Sequence, residues 1–352
     1  VVQDLKKLSV VQLSKYGHFE ELCRRASTLE KLDVAQLFER AVTDFRTVKR
    51  NPGHQQILQW CIDQGLDFGA RAGWLNESVV CLAARYGNRQ IIDSMIRRGL
   101  PNDPFARASV GDIEFLQGYA CHNELSHVRD KNGFNLLFAC AGSALGRIDP
   151  GANRRLADVC RLLLERGVSP SHEVIFELPI FPAYLCASFG GNQEVMRRLL
   201  EHGSLTPERL YQTMEHTLEP HQRSGEPFYH IAEIILSRGF NVNDKAEKCR
   251  TLLHGSANRG SLVAVQWLLD HGADPNALDD HGRTPLHVCA ERNTATSVLK
   301  LLIDVGSDPN IRDSSGRTPL DYSRQNARTT VVTYLTSIGA KCGIRDKSGD
   351  GI

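Results

Sequence analysis

The side chains best placed to do chemistry in this sequence are a set of arginines and a set of histidines. Arg250, Arg283 and Arg317 each stand directly before a threonine, in Arg250-Thr251-Leu252-Leu253-His254, Arg283-Thr284-Pro285-Leu286-His287 and Arg317-Thr318-Pro319-Leu320-Asp321. A guanidinium is a planar fork of donors that suits a fixed carboxylate or phosphate. Two roles stay open for the three: solvation or pairing with nearby Asp279 and Asp313, or recognition of an external anionic group. His216, His221 and His230 gather with Glu219 around residues 217–227. A metal site would need two or three of them to converge. Spacings of five and nine residues do not put them on one helix face, so a polar loop is expected. The sequence has no Gly-x-Ser-x-Gly elbow and no cysteine in a catalytic setting. Gly190-Gly191-Asn192 lacks the preceding strand and following Lys-Ser/Thr of a phosphate loop. No catalytic, cofactor-binding or metal-binding residue is expected, and the chain reads as non-enzymatic.

Of its 352 residues, 42 are Lys or Arg and 41 are Asp or Glu, a formal net charge of +1. That balance gives no global attraction to nucleic acid or an anionic membrane. No apolar run is long enough to cross a bilayer, and no signal peptide opens the chain. None of the ten cysteines forms a closely spaced metal-type pair. Most lie in apolar stretches such as Ala157-Asp158-Val159-Cys160, as reduced core cysteines do. An intracellular protein, cytoplasmic or nuclear, is expected. Asn76-Glu77-Ser78 matches a glycosylation sequon, a pattern short enough to arise by chance. The chain opens Val1-Val2, and Asp346-Lys347-Ser348-Gly349 repeats an earlier turn pattern; both ends suggest a fragment or a processed form.

These residues must be positioned by a repeated element. Gly65, Gly99, Gly167, Gly203, Gly239, Gly272, Gly306 and Gly339 each close an amphipathic, leucine-rich stretch, at intervals near 34 residues or twice that. A fixed period of this size means one supersecondary unit copied many times. Within each unit Thr-Pro starts a helix, because the hydroxyl caps free N–H groups and Pro suits the first helical position. The closing glycine takes a left-handed C-cap. Asp279-Asp280-His281-Gly282 and Asp313-Ser314-Ser315-Gly316 make tight turns between units. The histidine ending each Thr-Pro-Leu-His motif can hydrogen-bond to the next unit. Asn243, Asn276 and Asn310 end their units and are expected to hold the turns. Leu268 and Leu301 are expected to be buried on second helices. His18, His54 and His202 fall near helix junctions and read as structural.

Residues 248–345 resemble the ankyrin repeat, combining Thr-Pro-Leu-His, a Gly-Ala-Asp-x-Asn ending and a 33–34-residue period. The resemblance extends, more divergently, over most of 1–247: Leu82 to Gly87 with Ile91-Ile92, Asp130 to Gly167, and Leu185 to Gly203. It implies an all-α solenoid of about ten helix pairs joined by short β-turn hairpins. Divergent repeats would occupy 1–104. Irregular repeats would occupy 105–247, with insertions near 143–152 and 217–227 and a further one near 43–52. Regular repeats would occupy 248–352, all in one continuous array. The stretch 105–129 lacks a Leu-Leu-x-x-Gly ending and should hold a shortened helix or a bend. The resemblance places Arg250, Arg283 and Arg317 in the hairpins on the concave side, with Arg259 and Arg292 toward the same groove and Lys248, Asp280, His281, Ser314 and Ser315 beside them. It implies a scaffold that binds a protein partner, with an acidic or phosphorylated segment as candidate ligand. It also leaves open a targeting or substrate-recruiting domain of a larger enzyme whose catalytic part lies elsewhere. The scaffold is expected to be monomeric, with no nucleic acid and no membrane insertion. Asparagines at the Asn276 type of position are hydroxylated in some members of this family.

Overall fold

The computed structural model describes residues 9–16, 18–26, 33–43, 52–73, 77–170, 192–203, 205–218, 228–292 and 296–343. The eight periodic glycines all lie in the left-handed region, with φ between 72° and 98°. An added Cβ would meet nothing at any of them, so the demand for glycine comes from the dihedral and not from packing. At Gly272 the glycine N–H donates to the Leu269 carbonyl at 3.0 Å, and the Ala273 N–H donates to that of Leu268 at 2.9 Å. This is the paired Schellman closure, and it recurs at Gly65, Gly167, Gly306 and Gly339. The residue four before each of these glycines accepts the outer bond and is fully buried: Cys61, Leu163, Leu268, Leu302 and Leu335.

The chain divides into two compact units, Val1–Leu205 with Gln222–Gly225, and Thr206–His221 with Glu226–Ile352. In the first unit, helix pairs run from α1 (Val10–Tyr16) and α2 (Phe19–Ala26) through α3 (Val34–Thr43) and α4 (Pro52–Asp63). A two-residue hairpin follows, β1 (Arg71–Ala72) antiparallel to β2 (Glu77–Ser78). Next come α5 (Val79–Arg85), α6 (Arg89–Arg98), α7 (Pro104–Val110), α8 (Ile113–Ala120), α9 (Leu136–Ala141), α10 (Leu145–Ile148), α11 (Pro150–Glu165) and α12 (Gln193–Glu201). Helices α1, α3, α5, α7 and α9 stack in sequence, and α2, α4 and α6 form a second row. Second helices begin on side-chain caps: Asn88, Asp112 and Asn192 accept the N–H of Ile91, Phe115 and Val195, which satisfies a donor the helix leaves free.

Two expectations for this unit are refined. Helix α8 spans 8 residues, no fewer than the second helices Tyr229–Leu236 and Ser297–Asp304 that close on glycine, so the expected shortening is not seen; it buries only Leu116 and ends at Cys121 without a left-handed glycine. Residues 143–152 do interrupt the helices, at 142–144 and again at Asp149, and between and after these breaks they form α10 and the start of the 16-residue α11. The Asp149 carboxylate accepts the Gly151 N–H at 2.9 Å and Pro150 takes the first turn, so Asp-Pro here opens a helix. The proposed insertion at 43–52 and the repeat segment Leu185–Gly190 fall on residues 44–51 and 171–191, outside the described residues.

The second unit holds α13 (Pro207–Leu218), α14 (Tyr229–Leu236), α15 (Leu252–Arg259), α16 (Leu262–Asp270), α17 (Pro285–Arg292), α18 (Ser297–Asp304), α19 (Pro319–Gln325) and α20 (Thr329–Ser337). The first helices α13, α15, α17 and α19 stack in order, and α16 packs on α18. Leu268 is fully buried as expected, but Leu301 is only half-buried and Leu302 takes the core position. The closing glycine sets the register: Leu268 lies four residues before Gly272, and Leu302 lies four before Gly306.

The Thr-Pro-Leu-His motif links repeats as its residues predict. His254 Nδ1 accepts the Thr251 N–H at 3.2 Å and lies 2.9 Å from its hydroxyl. The ring proton therefore sits on Nε2, which donates to the Arg283 carbonyl of the next repeat at 3.0 Å. His287 repeats this with Thr284 and the Arg317 carbonyl at 3.2 Å. In the last motif Asp321 stands in for histidine and accepts the Thr318 and Gly343 N–H groups at 2.8 and 2.7 Å. Asn243, Asn276 and Asn310 bridge repeats too, accepting the N–H of Asp274, Asp308 and Lys341. Burial holds His254 and His287 below 6.5, outweighing their carbonyl bonds and the Asp279 and Asp313 carboxylates nearby. The unfolded chain then binds more protons just below 6.5, so stability is complete above that value and falls as pH drops through the window beneath it. The urea midpoint should fall between about pH 7.5 and about 5.5, and fall less in His287→Asn. Equal slopes for the two proteins would show that His287 stays in water.

Candidate functional site

The predicted arginines all lie in the second unit, on hairpins tied backbone to backbone. The Asp280 N–H donates to the Lys248 carbonyl at 3.0 Å and the Ser314 N–H to the His281 carbonyl at 2.8 Å, each joining one hairpin to the next. Each turn closes on itself as well, with the Gly282 and Gly316 N–H groups donating to the Asp279 and Asp313 carbonyls. The row therefore rests on main-chain bonds and not on the side chains it displays. Lys248, His281 and Ser315 are exposed at the tips. His281 pairs with Asp280, and the Ser315 N–H is held by Asp313.

The three arginines share a position and differ in their partners. Arg283 is mostly buried and sets its fork on Asp279, with Nε at 3.0 Å and an Nη at 2.9 Å, and reaches Glu291 at 3.5 Å. Asp279 also accepts the Arg283 and His281 N–H groups. Burial alone would raise its carboxyl, but these bonds and the guanidinium hold it below the usual carboxylate range. Arg317 instead reaches Gln325 at 3.1 Å and lies 5.8 Å over the Tyr322 ring, because the Tyr322 hydroxyl occupies Asp313 at 2.7 Å. Arg250 comes no nearer than 3.9 Å to Asp279, and its buried Nε has no hydrogen-bond partner. Of the two roles left open for these arginines, Arg283 takes the pairing with Asp279, and its fork is committed to its own hairpin.

Arg250 and Arg259 meet at one cleft of about 320 Å³ between α13, α15 and the hairpin before α15. Glu208, Glu215 and Glu247 also line it, and Tyr211 forms part of its wall. Arg259 bonds Glu215 at 2.6 Å. Arg292, at the end of α17, is exposed and does not line this cleft. The sequence did not single out α13 as the opposite wall; its spacing marks it as a repeat helix, but which charges it aims at Arg259 depends on how the helices stack.

The histidine set is not assembled among the described residues. His216 lies in α13 and His230 in α14, while Glu219 and His221 fall outside the described residues. Burial pushes His216 below its ordinary value. Asp279, Asp280 and His281 are near enough to share a cation, but the Asp279 oxygens already serve Arg283 and backbone N–H groups. His54 holds the Lys15 carbonyl at 2.8 Å, a structural link between α4 and the end of α1. Cys61, Cys81, Cys140, Cys160 and Cys289 are buried, and burial pushes Cys61, Cys81 and Cys160 up to about 12; these thiols act as core residues.

With the stacked helix pairs, Schellman closures and linked hairpins in place, the comparison with known proteins agrees. Residues 224–313 and 253–346 match the ankyrin repeat family. The chain carries ankyrin repeats in its C-terminal part, and these form a protein-interaction module that is not itself catalytic. A putative ankyrin repeat protein of Pyrobaculum aerophilum is 46% identical over 64 residues, 18% of this chain and 23% of that protein. The palmitoyltransferase AKR1 of Lachancea kluyveri is 27% identical over 125 residues, 35% of this chain and 17% of that protein. A putative E3 ubiquitin-protein ligase, XBAT34 of Arabidopsis thaliana, is 36% identical over 77 residues, 21% of this chain and 20% of that protein. The chain thus spans less than a quarter of each of these relatives.

Proposed function

We propose that this chain is a non-enzymatic interaction scaffold whose hairpin row and concave cleft in the second unit hold an acidic segment of a partner protein. The observation that carries this reading is the recurrence of Arg250, Arg283 and Arg317 on hairpins joined by main-chain bonds. Arg283 braces the row through Asp279 and Arg259 is held by Glu215, while Arg250 and Arg317 supply donors to the partner. The scaffold works as a monomer inside the cell. Among the described residues no helix is long and apolar enough to cross a membrane, and the near-zero net charge gives no global attraction to nucleic acid. A second reading, a recruiting domain within a larger enzyme, draws support from the palmitoyltransferase and the putative ubiquitin ligase among the relatives.

Affinity capture from the source cell tests the first reading. Arg250→Glu with Arg317→Glu should abolish capture and lower the melting temperature only modestly, since Arg250 Nε lies 3.9 Å from buried Asp279 without a hydrogen bond to it and Arg317 is tied to Gln325 and not to a carboxylate. Arg283→Glu is unsuitable, because it would set a second carboxylate against buried Asp279. Wild-type capture should weaken as salt rises, as exposed charges are screened beyond about 8–10 Å. Capture that survives the double reversal would move the interaction away from the hairpin row.

A further inference from the structure

The three hairpin arginines can be compared position by position, and the first repeat departs from the other two at two positions that face its arginine's cleft. Five residues after the arginine the chain has Gly255, where the next repeats have Val288 and Tyr322. Eight residues after it the chain has Asn258, where the others have Glu291 and Gln325. Those later residues are the ones that hold Arg283 at 3.5 Å and Arg317 at 3.1 Å. Asn258 is shorter, and the buried Nε of Arg250 has no hydrogen-bond partner and stays 3.9 Å from Asp279. The missing side chain at Gly255 and the fork of Arg250 open on the same cleft of about 320 Å³.

Building on the reading above, we propose that the cleft at Gly255 is a specific socket for one carboxylate side chain of a partner segment, held by Arg250, with basic residues on either side of that carboxylate. A planar guanidinium meets a planar carboxylate in two parallel bonds. The choice of carboxylate over phosphate follows from the lining. Glu208, Glu215 and Glu247 surround two arginines, and Glu215 already occupies Arg259 at 2.6 Å. A dianion would enter a cleft with three carboxylates and one open cation, whereas a single negative charge flanked by lysine or arginine complements both signs. Gly255 is placed for entry and not for backbone conformation: it lies within α15 without positive φ. A Cβ there would come within 3.1 Å of Glu215 Oε1 and 3.3 Å of an Arg259 Nη, so any side chain crowds the socket.

The test uses the full chain and an array of synthetic peptides with a fixed central Glu, a Lys or Arg two positions to either side, and the remaining positions varied. Parallel arrays carry Gln or phosphoserine at the centre. Glu-centred peptides should bind the wild type, and Gln-centred ones at least about tenfold more weakly. Arg250→Gln and Gly255→Val should each lose about tenfold or more for the Glu series. Gly255→Ala guards against misfolding, because alanine is the better helix residue and offsets the contact with Glu215; it should leave the melting temperature close to wild type and still weaken binding. Equal binding by Gly255→Ala, Gly255→Val and wild type would overturn the socket, as would tighter binding of the phosphoserine series or no binding by any Glu-centred peptide. Cellular capture that is lost in the double arginine reversal but retained in Gly255→Val would sink the socket alone and leave the hairpin-row reading standing.

Discussion

Glu77→Ala should destabilise the chain by about 3–5 kcal/mol, among the largest effects of any single substitution. Glu77 receives Arg85 Nε at 2.8 Å and an Arg85 Nη at 2.7 Å, and the two side chains are 10% and 6% exposed. The pair fastens β2 to the far end of α5. Burial works against the Arg85 charge, yet the Glu77 carboxylate and its hydrogen bonds raise the arginine's pKa further. Removing the carboxylate leaves a guanidinium in a place water reaches poorly. Replacing both residues, Glu77→Leu with Arg85→Leu, should cost less than Glu77→Ala alone, because no charge is then stranded. Urea unfolding of the single and double variants measures this, with amide exchange across α5 as the local readout. A single-variant cost below about 1 kcal/mol would mean that the pair is hydrated and weak.

Leu268→Ala and Leu302→Ala should each cost about 2–5 kcal/mol, while Leu301→Ala should cost well under either. Leu268 and Leu302 are fully buried and Leu301 is half-buried. Each core leucine accepts the outer Schellman bond of its helix, so the same closure that ends the helix fixes which residue faces the neighbouring helices. Chemical denaturation of the three variants settles the order. A Leu301→Ala cost equal to that of Leu302→Ala would show that α18 is rotated from the position described.

The repeat itself was legible in the sequence because its signals are local. A glycine at positive φ, a threonine that caps, a proline at the first helical position and a histidine three residues on each act within one turn of chain. Such residues state their backbone requirement wherever they occur. Leu302 takes the core position expected of Leu301, because the apolar face alone leaves two adjacent leucines open. The closing glycine fixes the dihedrals and so marks the register more firmly than the apolar face does. Asp149-Pro150 shows the same locality: Asp149 closes α10 and caps α11, and Pro150 takes the first helical position.

The helix pair, its caps and the row of arginines at a common position thus follow from local sequence. The role of each arginine follows from packing. Arg283, Arg317 and Arg250 sit in near-identical local sequences, yet their charges meet Asp279, the Tyr322 ring with Gln325, and an open cleft, respectively. Those partners lie several residues away on the same repeat, or on a neighbouring one, and which of them comes within reach depends on side-chain length and stacking. The pairing of Glu77 with Arg85 has the same origin, since it joins a hairpin strand to the far end of the helix that follows. Helix periodicity reports which face is apolar; it does not report which opposite charge the next layer brings against it.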